Sequence, residues 1–394
     1  MSLHDFLNAQ LAQRHRDQLY RQPWPHHGKQ QPLLRHHGRD YLSFCSNDYL
    51  GLASDSRLID TLQHASKDYG IGSGASHLVS GHHQAHQELE SALAKFLGRE
   101  RALVFSTGYM ANIGVMTALM GREDAIFADK FNHASLVDGS LLSRAQSQRY
   151  AHLDMAALAN LLARSEKKHR LIISDGVFSM DGDIAPLPEL LHLAQQYDAW
   201  LMLDDAHGLG VLGETGRGTE AYFNALNSVP ILVGTFSKAF GGMGAFVAGS
   251  ALLIDYMIQA ARSYIYTTAL PPALAEVNRH ALHLAQTESW RREHLHFLID
   301  YFRQQAKILN IPLMPSITPI QGIILGSAER ALTVSQALWQ RGLFVTAIRP
   351  PTVPLHRARL RITFSALHQK EQVDQLLSAL AELLSPCFIS TDTA

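Results

Sequence analysis

The 394-residue chain carries 34 Lys and Arg against 35 Asp and Glu, with 46% hydrophobic and 18% charged residues. That composition fits globular domains with a sizeable core and excludes a disordered chain. The formal net charge of −1 excludes an overall basic surface built for nucleic acid or an anionic membrane.

No apolar stretch is long enough to span a bilayer, and the start, MSLHDFLNAQLAQRHRDQLYRQPW, lacks the apolar centre of a secretory signal. Asp5 and Asp17 argue against a transit peptide, so the expected location is the cytoplasm. Cys45 and Cys387 have no metal-ligand or redox spacing and read as thiols buried in a reducing compartment. The 22 histidines fall mostly in scattered pairs without ligand spacing, so no metal is expected.

Residues 1–45 read as an N-terminal arm. Phe6, Leu7 and Leu11 mark a helical stripe, and Pro23, Pro25, Gly28 and Pro32 break the segment that follows. Residues 46–284 alternate short apolar runs with helices. In the helix His86–Leu97, Leu89, Leu93, Phe96 and Leu97 share one face, and Gly98 stops it. Strands are predicted at 101–105, 125–128, 171–174, 200–203, 231–235 and 245–249, with a helix from the first of them to Met120. Continuous apolar strands separated by helices predict an α/β large domain with a mostly parallel sheet covered on both faces. Residues 285–394 change rhythm: helix, strand (320–325), helix (328–340), strands (343–348 and 358–364), helix (371–384). That order predicts a small α+β C-terminal domain.

In an open parallel sheet, ligands bind beyond the carboxyl ends of the strands. After RALVF, Ser106-Thr107-Gly108-Tyr109 opens a helix, and a small-residue helix start suits a phosphate. After WLML comes Asp204-Asp205-Ala206-His207, where strand alternation does not choose between the two carboxylates. After ILVGT comes Phe236-Ser237-Lys238-Ala239-Phe240-Gly241-Gly242, a lysine among apolar residues and glycines that suits an amine nucleophile. Each feature alone has a plain reading as a cap, a surface His or a loop lysine. Together they form the set needed to hold pyridoxal phosphate: a phosphate cradle, an acid for the pyridine nitrogen and an amine for a Schiff base.

The stretches DDAHGLGVLGETGRG and GTFSKAFGG resemble the α-oxoamine synthases, a family of fold-type-I (aspartate-aminotransferase-like) pyridoxal-phosphate enzymes. SNDYLGL (46–52), YGIGSGASHLVSGHHQAHQELE (69–90), FNHASLVDG (131–139), DGVFSMDGDIAPL (175–187), YIYTTALPP (264–272) and RPPTVP (349–354) extend the resemblance over nearly the whole chain. The family condenses an amino acid with an acyl thioester. TAIRPPTVPLHRARLRI (346–362) resembles the branch that joins L-alanine to a pimeloyl thioester, carried on coenzyme A or acyl-carrier protein. Members that use glycine with acetyl- or succinyl-CoA usually lack the Arg-Pro-Pro run. Ala75, His77 and Asp175 depart from residues common in relatives. A non-catalytic binding module would have lost the lysine or aspartate, and both are present.

The resemblance implies roles residue by residue. Lys238 would hold the cofactor as a covalent aldimine and shuttle the Cα proton. Asp204, favoured by the family's D-x-x-H spacing, would pair with the pyridine nitrogen, and His207 would bond the phenolic oxygen. His133 would stack on the ring and aid condensation, though it also reads as a plain helix cap, and Ser179 would contact the cofactor. Gly108, Tyr109 and Thr235 would hold the phosphate, joined by Thr267 and Thr268 from the second subunit of a homodimer. Arg361 would clamp the amino-acid carboxylate; otherwise it reads as a surface charge on an edge strand. Arg21, Arg349 and Thr352 would line the acyl substrate, with Asn47 near the amino acid.

Overall fold

A computed structural model describes residues 1–385 of the chain. Its strands, in chain order, are β1 (Leu33–His36), β2 (Arg39–Ser43), β3 (Arg101–Phe105), β4 (Ala125–Asp129), β5 (Gln146–Tyr150), β6 (Arg170–Asp175) and β7 (Trp200–Asp204). They continue with β8 (Ile231–Thr235), β9 (Ala245–Gly249), β10 (Ile320–Gly326), β11 (Leu343–Phe344), β12 (Thr346–Ile348) and β13 (Ala358–Thr363). The chain divides into two compact units. One comprises Asp48–Ser179 and Asp183–Glu293; the other comprises Met1–Asn47, Met180–Gly182 and the chain from His294 onward. The N-terminal arm therefore groups with C-terminal residues in one unit.

The first unit is built on a seven-stranded sheet of order β3-β9-β8-β7-β6-β4-β5. Strands β8, β7, β6, β4 and β5 are parallel, while β9 runs antiparallel to both of its neighbours. Alternate side chains Leu103, Ile126, Leu171, Ile173, Met202, Val233 and Val247 pack on one face against Ala111, Val115 and Met116 of the helix Gly108–Leu119. The residues between them, such as Val104, Phe127, Ile172, Leu203 and Phe246, are also buried, which explains the unbroken apolar runs. The exception is β5, QSQRY, a polar edge strand that carries no apolar run and that the sequence reading missed. The helix read at His86–Leu97 spans Gln84–Leu97. It buries Leu89, Leu93, Phe96 and Leu97 and ends on Gly98 at φ 69°, ψ 30°.

The other unit holds two three-stranded sheets, β1-β2-β11 and β10-β13-β12. β1 and β2 form an antiparallel hairpin turned by His37 and Gly38, both at positive φ, as a two-residue hairpin turn requires. The single strand expected over 343–348 is two: Leu343–Phe344 pairs with β2 and Thr346–Ile348 pairs with β13. The helix Leu3–Arg16 is closed by a Ser2–Asp5 capping box, and its Phe6, Leu7 and Leu11 stripe is exposed rather than buried. Cys45 is half-buried and unpaired to another cysteine, with its thiol pushed up to about 11 by burial; Cys387 lies outside the described residues. Among the described residues, no helix is long and apolar enough to cross a membrane.

Candidate active site

The carboxyl ends of β4, β6, β7 and β8 converge on a cavity of about 200 Å³ within the first unit. Gly108, Tyr109, His133, Ser179, Asp204, His207, Thr235 and Lys238 all line it. All eight are among the residues expected from the sequence to hold the cofactor. The structure adds Asn112, Ser135, Asp175 and Ser237.

Asp204 ends β7, and its carboxylate is held from two sides. Asn112 Nδ2 donates to Oδ2 at 2.6 Å, and the Ala206 N–H donates to Oδ1 at 3.1 Å. Asp205, the alternative carboxylate, points elsewhere: it accepts from the Thr219 N–H at 2.7 Å and the Thr219 hydroxyl at 2.6 Å. Burial pushes Asp205 up to about 7. Asn112 also donates to Ser135 Oγ at 2.8 Å, and its buried Oδ1 has no protein partner among the described residues. Asn112 lies four residues after Gly108 in a mostly apolar helix, so an amide side chain on the same face as the helix start was the available signal.

The helix Gly108–Leu119 starts at the cavity, capped by Thr107 Oγ1, which accepts from the Met110 N–H at 3.2 Å. First-turn amides of a helix have no intrahelical partner and carry a positive dipole end. The Tyr109 hydroxyl donates to Asp138, so its side chain is directed to that residue. Lys238 is half-buried in the loop joining antiparallel β8 and β9. The loop is closed by the Gly241 N–H donating to Lys238 O at 2.9 Å. Thr235 Oγ1 donates to Gly244 O at 2.8 Å and lies 2.8 Å from Ser237 Oγ. Its proton is thus spent inside the loop, and exposed Ser237 is the neighbouring hydroxyl.

His133 is the N-cap of the helix Ala134–Ser143, with Nδ1 2.7 Å from Ser135 Oγ. The capping reading and a place in the cavity therefore hold together. Its N–H donates to Asp175 Oδ2 at 2.7 Å. Burial holds the His133 imidazole below its ordinary range; Asp204 opposes this and Lys238 reinforces it. Asp175 is pushed well above the usual carboxylate range, by burial first and by Asp204 second. The Tyr49 hydroxyl lies 2.6 Å from His207 Nδ1, a partner the sequence reading did not name.

Thr267 is half-buried and Thr268 exposed, and neither lines this cavity. In the other unit, Arg361 Nη2 donates to Asn47 Oδ1 at 3.1 Å and Arg21 Nη2 donates to Thr352 Oγ1 at 3.2 Å. Arg349 donates to Gln18 O, in a loop where the Pro350–Pro351 peptide is cis. Arg361 is not on an edge: β13 is the middle strand of its sheet, and the side chain is buried. Of the clustered histidines, His86 uses both ring nitrogens, accepting from the His83 N–H at 2.9 Å and donating to Leu270 O at 2.6 Å.

The aminotransferase class I and II family model matches residues 39–380. The chain belongs to that family. It is 56% identical to an 8-amino-7-oxononanoate synthase of Saccharophagus degradans over 88% of this chain and 87% of the relative. It is 52% identical to one of Cellvibrio japonicus over 96% of each chain. Among solved structures it resembles a serine palmitoyltransferase from S. paucimobilis with a bound PLP–myriocin aldimine. That match has a TM-score of 0.92 and 29% identity over 97% of this chain and 98% of the other. It also resembles the 8-amino-7-oxononanoate synthase of Francisella tularensis, with a TM-score of 0.76 and 33% identity over 87% and 97%. The family member described here has the α/β architecture of the fold-type-I enzymes, with the mostly parallel sheet that its apolar strands predict.

Proposed function

We propose that this family member is a pyridoxal-phosphate-dependent acyltransferase that condenses L-alanine with a pimeloyl thioester. The products are 8-amino-7-oxononanoate, carbon dioxide and the free thiol carrier, in biotin biosynthesis. The observation that carries the reading is the joining of Lys238, Asp204, His207 and the Gly108 helix start in one cavity, in a chain more than half identical to enzymes of that name.

The residues fit the cofactor. A pyridine nitrogen, a phenolic oxygen, an aldehyde and a phosphate call for an acid, a ring donor, an amine and helix-start amides. Asp204, His207, Lys238 and Gly108–Tyr109 supply them in turn. The unpartnered Asn112 Oδ1 marks a cavity wall whose polar capacity is not used up by the protein. Bound there, the cofactor supplies an electron sink for negative charge at the amino acid's Cα.

Lys238 Nζ would hold the cofactor covalently; once the amine of L-alanine has taken its place there, the freed amine would take the Cα proton and return one after carbon dioxide has left. Asp204, fixed by Asn112 and the Ala206 amide, would pair with the ring nitrogen and keep a proton on it. His133 has Nδ1 committed to Ser135 and is neutral near pH 7, so it offers Nε2 to the oxyanion of the condensing thioester carbonyl. Arg361 meets the alanine carboxylate with its planar fork. Arg21, Arg349 and Thr352 receive the acyl chain, and Asn47 sits beside Arg361 at the amino-acid end. Ser179 would help hold the cofactor from the cavity wall, and Thr235, its hydroxyl proton given to Gly244 O, would act by fixing the loop that presents Ser237 and Lys238.

A cytoplasmic homodimer completes the reading, with Thr267 and Thr268 reaching the partner's phosphate site. The reaction is tested by incubating the cofactor-loaded protein with L-alanine or glycine and, separately, pimeloyl-, succinyl- and acetyl-CoA, then weighing products by mass spectrometry. The expected result is 8-amino-7-oxononanoate from L-alanine with the pimeloyl thioester, and no product from the shorter thioesters. Turnover only with glycine and a shorter acyl-CoA would reject the substrate assignment.

A further inference from the structure

We propose that His152 is a positioning residue that sets the stance of the two cavity walls carrying His133 and Ser179. It does not line the cavity; it follows the edge strand β5. Its Nδ1 lies 2.9 Å from Asp129 Oδ1 and its Nε2 lies 2.5 Å from Asp183 Oδ2. Carboxylates only accept, so both ring nitrogens donate and the ring is the doubly protonated cation. The ring stacks on Phe131 at 4.4 Å and meets Phe178 edge-on at 4.5 Å. Burial alone would lower its pKa. The two carboxylates together outweigh that and hold it at about 9, so the cation persists at neutral pH.

Each carboxylate belongs to one wall. Asp129 ends β4 and also accepts from the Phe131 N–H at 2.8 Å and the Leu153 N–H at 2.9 Å. It thereby caps the turn that presents Asn132 and His133. On the other wall, Val177 pairs with Ile184 and the Phe178 N–H donates to Asp183 O at 3.0 Å. Asp183 thus sits beside the arm that carries Ser179. The walls are joined once more where the His133 N–H donates to Asp175 at the end of β6. His152 is the charged link in a double fastening, and neither of its partners is a cavity-lining residue. Displacing a reacting group by about 1 Å can cost about 10²-fold in rate, so a link at this distance from the chemistry has kinetic weight.

The inference rests on the part assigned above to His133, and the test separates the two. His152→Phe keeps a stacking ring and removes both donors. In the cofactor-loaded enzyme it is expected to lower kcat by about tenfold, with a smaller change in KM for L-alanine. In a His133→Ala background the same substitution is expected to lower kcat by only about threefold, the share that acts through the wall carrying Ser179, because the His133 share is gone. Asp183→Ala is expected to repeat the loss. Asp183→Asn, which keeps an oxygen for Nε2–H, is expected to recover most of it, a contrast available even if His152→Phe fails to fold. Losses that multiply unchanged in both backgrounds, or equal losses in the two Asp183 variants, would overturn the positioning role alone. Wild-type protein that binds the cofactor but makes no product would overturn it together with the proposed reaction.

Discussion

Asp175 lies directly opposite Asp204 in the parallel pairing of β6 with β7, and the two carboxylates are held in opposite ways. Asp204 accepts from the Asn112 side chain and the Ala206 amide, while Asp175 accepts the backbone N–H of His133. Burial, then the neighbouring charge, raises Asp175 and makes it the one that keeps its proton.

A contrast between two amide substitutions follows. Asp175→Asn reproduces the neutral form and retains an oxygen for the His133 N–H, so its kcat is expected to stay within about tenfold of wild type. Asp204→Asn removes the carboxylate proposed to pair with the ring nitrogen and is expected to lose about 10²-fold or more. Steady-state kinetics of both variants, with cofactor content measured by absorbance, check the ordering; equal losses would contradict it.

Glu90 gives a pH prediction with a definite sign. It is buried in the helix Gln84–Leu97 and accepts the Val104 N–H at 3.0 Å. Burial pushes it from an ordinary 4.5 up to about 7. The unfolded chain therefore releases this proton first, and stability is lost as pH rises from about 4.5 to about 7. Glu90→Gln keeps an acceptor for Val104. It is expected to melt at a higher temperature than wild type at pH 8 and to lose that advantage near pH 4.5. Thermal melts of both proteins across the range decide it.

Gly241 sits at φ +64° three residues after Lys238, and a Cβ there would stand 2.3 Å from Ala53 N and 2.5 Å from Leu52 C. Both contacts are backbone, so nothing can rotate away. Gly241→Ala is expected to cost at least about 1 kcal/mol from the left-handed conformation alone, with the clash added. Chemical denaturation should show the lower midpoint, and cofactor affinity should fall with it because the Lys238 turn is displaced.

Much of this architecture is legible in the chain because buried parallel strands cannot hide. Leu171–Ile173 and Leu201–Leu203 are apolar on both faces, and their polar neighbours Asp175 and Asp204 fall at strand ends where ligands bind. Gln146–Tyr150 was illegible because an edge strand facing water needs no apolar face. The hairpin at 33–43 was hidden because its turn depends on positive φ at His37, a conformation its residue type does not announce. The choice between Asp204 and Asp205 needed tertiary partners: Thr219, fourteen residues on, claims Asp205, and Asn112 from another helix claims Asp204. The Asp129–His152–Asp183 link joins residues 23 and 31 positions apart, so no local spacing marks it.

The proposed reaction turns on Lys238 binding the cofactor in the cavity shared with Asp204, His207 and His133. Its most direct measurement is borohydride reduction of the protein loaded with pyridoxal phosphate, followed by protease digestion and mass mapping of the reduced tag. The expected result is a single stoichiometric tag on the peptide containing Lys238, absent after Lys238→Ala in a variant that still folds. A tag on another lysine, or an unmodified Lys238 peptide in a protein saturated with the cofactor, would rule out Lys238 as the cofactor's amine.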